Sequence, residues 1–136
     1  MASQNTELVR QVLAAATGAS DDFAAGLALI DAEIQVYPRS EEPGVEPVYS
    51  GHQEMFEYFG NWFSQWDEYE AKPISFEDAP EDRVLVVMAE RGHLKQSGIT
   101  LDQEFTHSFT VRDGKVIEWR MYDSNEQGRE TLGLDD

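Results

Sequence analysis

Two ionisable side chains in the last third of the sequence stand among apolar neighbours, where proton transfer to a bound molecule is feasible. His107 lies between Phe105 and Phe109, and Asp123 follows Trp119 and Met121 at alternate positions. Period-two alternation marks a half-buried strand, and Asp113-Gly114 is a turn pair between two such runs. A two-residue type I′ turn would pair Arg112 with Lys115 and set odd residues of one strand beside even residues of the next. A three-residue loop, with Gly114 completing a G1 bulge, pairs Val111 with Lys115 and keeps odd with odd. Burial of one face specifies register, so the bulged loop is the expectation. The inner face then carries Phe105, His107 and Phe109 against Ile117, Trp119, Met121 and Asp123, with His107 opposite Trp119. A carboxylate or imidazole on such a face can exchange protons with a substrate. The competing roles are an N-cap for Asp123 and a hydrogen-bonded core position for His107. Four pairs apart, roughly 13 Å in an extended strand, the two do not form a dyad.

The strand from Arg83 to Lys95 leaves its register open. Leu85 and Val87 on one face match Val84, Val86 and Met88 on the other. If the odd face points inwards, Arg91 and His93 approach Gln103 and Asp123 as the polar end of an apolar cavity, where Arg91 would stabilise developing negative charge. Otherwise both are surface residues. Met55, Phe59, Trp62 and Trp66 recur at helical spacing. With Tyr58 they either line a site for a flat apolar ligand or fill a core. Three dispersed His, with no H-x-H or H-E-x-x-H, predict no metal site. The absence of G-x-G-x-x-G, G-x-x-x-x-G-K-[ST] and G-x-S-x-G gives no support for a nucleotide cofactor or a serine triad. No cofactor is expected.

The elements that must position these residues can be read along the chain. Asn5 or Thr6 opens a first helix with Leu8, Val9, Val12 and Leu13 on its apolar side, stopped by Gly18. Ser20 is the expected N-cap of a short second helix carrying Phe23, Leu27 and Ile30, and a strand from Glu33 to Tyr37 follows. Ser40 to Pro47, with Glu41, Glu42 and Glu46, reads as a solvated loop. Ser50 and Gln53 form a capping-box pattern for a third helix running to about Trp66. Strands Tyr69–Phe76, Arg83–Lys95, Ile99–Val111 and Val116–Tyr122 and a last helix near Asn125–Leu132 complete an α+β layout, helices on one face of an antiparallel sheet. With 136 residues and no repeat or linker, one domain over residues 1–136 is expected. Ten Lys and Arg against 27 Asp and Glu give a net charge of −17, which disfavours nucleic acid and anionic membranes as partners. The chain has no cysteine, so disulfides and thiol chemistry are excluded. No apolar run approaches the ~18 residues of a membrane span and no signal-peptide layout opens the chain, so a cytoplasmic protein is expected.

After these two helices, Leu29-Ile30-Asp31-Ala32-Glu33-Ile34-Gln35-Val36-Tyr37 resembles the opening of the nuclear-transport-factor-2-like superfamily. Tyr49-Ser50-Gly51 before an aromatic helix, and Thr110-Val111-Arg112-Asp113-Gly114-Lys115-Val116 between two long strands, are similar to its SnoaL-like branch. The resemblance spans nearly the whole chain. It implies a conical α+β fold, in which a curved antiparallel sheet wraps the N-terminal helices and encloses a pocket, and a homodimer formed through the outer sheet face. Relatives include ketosteroid isomerase, scytalone dehydratase, limonene epoxide hydrolase and polyketide cyclases, and others are not catalytic. The implied function is cofactor-free isomerisation, cyclisation or dehydration of a hydrophobic, cyclic small molecule, or else a non-catalytic ligand-binding or dimerisation module. Asp123 matches the place of a catalytic Asp in this superfamily, His107 that of a pocket His, and Tyr37 that of a pocket-facing side chain able to polarise an oxygen. Arg91-Gly92-His93 lies where the epoxide hydrolase has Arg-x-Asp, with His93 in place of the acid. The implied substrate-binding set is Trp62, Trp66, Phe59, Phe105, Trp119, Met121, His93 and Gln103.

Overall fold

The computed structural model describes residues 3–40, 42 and 44–134; Glu41, in the loop read above as solvated, lies outside them. Helix α1 spans Gln4–Ala16, and its N-cap is Ser3, whose hydroxyl accepts from the Thr6 N–H at 3.0 Å. Thr6 is not free to cap because it is buried and donates its own hydroxyl to Asp78. Val9, Val12 and Leu13 form the buried face of α1. Helix α2, Phe23–Ala28, is capped by Asp22 rather than Ser20, with the Ala25 N–H donating to the carboxylate at 3.0 Å. A Cβ on Gly26 would lie 2.2 Å from that of Ala15, so glycine is what lets α2 lie directly on α1.

Strand β1 (Ile30–Tyr37) and the two-residue β2 (Tyr49–Ser50) lead into α3 (Gly51–Ser64). The cap of α3 departs from the Ser50/Gln53 box. Glu54 accepts from the Ser50 N–H at 2.8 Å, while the Ser50 hydroxyl turns to Gln35. Trp66 is no longer helical and begins β3 (Trp66–Ala79), followed by β4 (Arg83–Leu94), β5 (Thr100–Arg112), β6 (Lys115–Tyr122) and α4 (Asn125–Leu132). The six strands form one curved, open sheet in the order β2-β1-β6-β5-β4-β3. Only β1 and β6 run parallel. Two irregularities bend β3, at Asp67/Glu70 and Pro73/Ser75. Pro73 is tolerated there because β3 is an edge strand.

The last hairpin differs from the bulged loop expected above. Asp113 and Gly114 both take positive φ, 52° and 75°, and Arg112 pairs with Lys115: a type I′ turn, whose twist matches that of the strands. Odd-with-odd matching returns one step later, where Val111 pairs with Val116 and Thr110 with Glu118, leaving Ile117 in a bulge. Phe109 therefore faces Trp119, and His107 faces Met121.

The register of β4 is also settled. Val84 pairs with Phe109, Val86 with His107 and Met88 with Phe105, so the even residues share the inner face. That face, with α1 and α3, builds a core around Val9, Leu13, Ile34, Val86 and Phe109. The helices do not all lie on one face, however. Helix α4 packs on the other, with Gly128 against Thr106 and Tyr122 and with Leu132 buried, which is why the even residues Thr106 and Ser108 of β5 are buried. No helix among the described residues is long and apolar enough to cross a membrane.

Arg129 of α4 grips Glu77 of β3 at 2.7 and 3.2 Å, and this hydrogen bonding holds the Glu77 carboxyl below its ordinary value. A carboxyl lowered in the folded state stabilises above its unfolded pKa, and that contribution fades as pH falls through the folded one. Glu77→Gln should therefore cost less than about 1 kcal/mol at neutral pH, and its difference from wild type in urea unfolding should vanish at low pH. A difference that persists in acid would contradict the assignment.

Candidate functional site

A cavity of about 290 Å3 lies between the inner sheet face and helices α1, α2 and α3. Its wall is largely apolar: Leu13 and Leu27 from the first two helices, Met55 and Phe59 from α3, Phe105 and Trp119 from the sheet. The sequence places them by simple periodicity. Met55, Phe59 and Trp62 recur along one side of α3, and Phe105 and Trp119 occupy inward positions of β5 and β6. Phe59 and Trp119 stand 4.8 Å apart between ring centroids.

Against this wall converges a small polar network centred on Glu90. Glu90 continues the even face of β4, follows Met88 inward, and is 6% exposed. The Tyr69 hydroxyl donates to one of its carboxylate oxygens, and the Tyr69 ring meets Trp62 edge-on, with ring centroids 6.4 Å apart. The other Glu90 oxygen lies 3.6 Å from Nε2 of His107. The Trp119 indole donates to Nδ1 of His107 at 2.9 Å. Because Nδ1 is the acceptor, the proton of a neutral His107 ring sits on Nε2, facing Glu90. At 3.6 Å Nε2 stands beyond hydrogen-bonding distance of the carboxylate, so its N–H can be given to a ligand oxygen placed beside the pair.

Two tyrosines complete the polar end. Burial pushes the Tyr69 hydroxyl far above the ordinary tyrosine value, and the neighbouring Glu90 carboxylate adds to the shift. Tyr58 is raised likewise, by burial first and then by its hydrogen bond to Glu42. Both stay protonated and act only as neutral phenols.

The structure brings together eight of the residues singled out in the sequence: His107, Met55, Tyr58, Trp62, Phe59, Phe105, Trp119 and Met121 all line the cavity. Six others stand outside its lining. Asp123 lies one residue past the last β5–β6 pair, half-buried, and accepts from the Ser40 hydroxyl, while its N–H donates to Gln127 at 2.9 Å. The N-cap of α4 is its neighbour Ser124. Tyr37 lies under the Arg120 guanidinium, 3.9 Å from its ring centroid. Arg91 and His93 are odd residues of β4, so the inward register turns them out. Arg91 faces Asp102, and His93 meets Thr100 and Glu68. Gln103, paired with Glu90, is exposed. Trp66 packs on Trp62, with its indole nitrogen buried and without a partner among the described residues. Sequence reasoning passed over Glu90, Tyr69 and Arg39. The available signal was Glu90 itself, an acid in line with Val84, Val86 and Met88.

A SnoaL-like domain matches residues 9–119. The chain belongs to the SnoaL-like domain family. No curated protein matches it. Among solved structures of this fold, TerC co-crystallised with polyporic acid is 20% identical over 96% of this chain and 99% of its own, with a TM-score of 0.74. A protein from Jannaschia sp. CCS1 described as a SnoaL-like polyketide cyclase is 20% identical over 95% of this chain and 90% of its own, TM-score 0.72. A protein with a ketosteroid isomerase-like fold from Catenulispora acidiphila, in complex with trimethylamine, is 16% identical over 95% and 94%, TM-score 0.67. At these identities the likeness shows the nuclear-transport-factor-2-like fold, and any activity of this SnoaL-like chain must be argued from its own cavity.

Trp119→Phe removes the indole donor together with one ring of a buried side chain packed on Phe59 and Phe109. It should cost about 1 kcal/mol for the hydrogen bond and release the ring tautomer. Nitrogen NMR should show His107 as the Nε2–H form in wild type and as a mixture in the variant. A wild-type ring protonated on Nδ1 would contradict the network.

Proposed function

We propose that this protein binds a hydrophobic, cyclic small molecule in the cavity and transforms it by cofactor-free acid/base chemistry: isomerisation, cyclisation or dehydration. The observation that carries the reading is the Glu90–His107 pair, buried at the wall of an otherwise apolar enclosure. Convergent polar groups in an apolar pocket are the ordinary form of a small-molecule site. Glu90 is the base, taking a proton from a carbon beside a ring carbonyl, and the His107 Nε2–H steadies the oxygen on which negative charge gathers. Tyr69 holds the carboxylate in position, and Trp119 fixes the tautomer that keeps the ring proton on Nε2, at the Glu90 edge where the ligand oxygen is received. Aromatic walls exclude water and strengthen each interaction. That TerC takes polyporic acid and the Catenulispora protein trimethylamine supports a small ligand here.

A ligand-binding module without catalysis is the second reading. It is favoured by the self-sufficiency of the network, since Glu90, Tyr69 and His107 each find a partner within the protein.

The two separate experimentally. Cyclic ketones, phenols and hydroxyquinones are screened by thermal shift, and binders are followed for turnover. Glu90→Gln keeps the shape and an acceptor for Tyr69 but cannot take a proton. It should retain the ligand-induced thermal shift and lose turnover by about 100-fold or more, while Asp123→Asn keeps most of it. Full activity in Glu90→Gln, with loss in Asp123→Asn, would move the base to the strand end. Binding without turnover of any ligand would establish the module.

A further inference from the structure

Arg39 follows β1 by two residues and lines the cavity. Its guanidinium carbon lies 4.1 Å from the centroid of the Phe105 ring and 5.6 Å from that of Trp62, so the group is held against two aromatic walls. A guanidinium resting on rings keeps its N–H edge for an acceptor. Arg39 is the only Lys or Arg among the described residues of the lining. Arg10, Arg83, Arg120 and Arg129 each have a carboxylate partner, whereas Arg39, Arg91 and Arg112 make no ion pair among the described residues, and of these three Arg39 alone lines the cavity.

That placement is informative in a chain with 27 acids and 10 bases, where carboxylates for an exposed arginine are plentiful. Arg39 also shares the polar end of the cavity with Glu90. It acts to lower, and Glu90 to raise, the proton affinity of both Tyr58 and Tyr69. The cavity thus combines flat apolar walls, a proton acceptor and one cation that gives its donors to no acid among the described residues.

Resting on the ligand-binding role proposed above, we infer that the ligand is a flat cyclic anion whose rings lie along Phe59, Trp62 and Phe105 and whose anionic oxygen is held by the Arg39 guanidinium. Carboxylate, phenolate and enolate share that chemistry. For a base-catalysed reaction the same cation adds its attraction to the His107 Nε2–H in stabilising the charge that appears on the ligand when its proton moves to Glu90. A neutral molecule of equal shape offers the guanidinium only an uncharged acceptor and binds less well. Charge-assisted contact also offsets the repulsion that a chain of net charge −17 exerts on an anion.

The test is isothermal titration of the full chain with 2-naphthoate and with 2-naphthamide, which match in ring shape and differ in charge. Wild type should bind the carboxylate at least about tenfold more tightly than the amide. Arg39→Gln should weaken 2-naphthoate by about tenfold or more and leave 2-naphthamide within about threefold. Equal binding of the two probes to wild type, or a preference that survives in Arg39→Gln, overturns the inference and leaves the cavity reading standing. Failure of both probes to bind wild type overturns the two together.

Discussion

Burying the Glu90 carboxylate in an enclosure walled by aromatic rings would cost several kcal/mol if its oxygens met no donors, and the surrounding arrangement answers that cost. Tyr69 donates to one oxygen, and the Nε2 edge of His107 faces the other. Behind each stands an indole: the Trp62 ring packs edge-on against Tyr69, and Trp119 donates to His107. An indole N–H only donates, so Trp119 pins the His107 end of the chain and directs the ring proton towards Glu90. The aromatic share of the composition therefore does two things at once: it excludes water and it sets the direction of the hydrogen bonds.

That network exists because the sheet presents two differently covered faces. Three N-terminal helices lie over the inner face and leave a cavity, while α4 lies on the outer face and buries Thr106 and Ser108. Gly26 brings α2 down on α1, and the irregularities of β3 turn the edge strand so that Tyr69 reaches Glu90. The Ile117 bulge keeps Trp119 on the inner face, on the same side as His107, after a turn that would otherwise have reversed the alternation. A one-residue error at that point would move the indole donor to the wrong side of the sheet.

Much of this was legible in the residues. Alternation through Phe105, His107 and Phe109 named the inner face of β5, and the stripe Met55, Phe59, Trp62 named the cavity side of α3. The matching of odd with odd was right in kind, although the bulge sits at Ile117 and not in the turn. What stayed hidden was β4, because a strand covered on both faces is apolar on both faces and periodicity carries no direction. With that register open, the odd face offers Arg91 and His93, which point outwards, and the last strand offers Asp123, at its end. Glu90 was the overlooked clue, since an acid in line with three apolar residues needs partners on the same face. Arg39 could not be placed from sequence, because a loop residue reaches its site only through the tertiary fold.

The account rests on a ligand meeting the Glu90–His107 pair inside the cavity. A crystal structure of the protein soaked with a binder from the screen tests that most directly. The account predicts a ring against Phe59 and Trp119, with a polar ligand atom within hydrogen-bond reach, about 3.2 Å, of Glu90 or His107 Nε2. A ligand seated elsewhere, or a cavity closed by inward-turned tryptophans with no ligand in it, would contradict it.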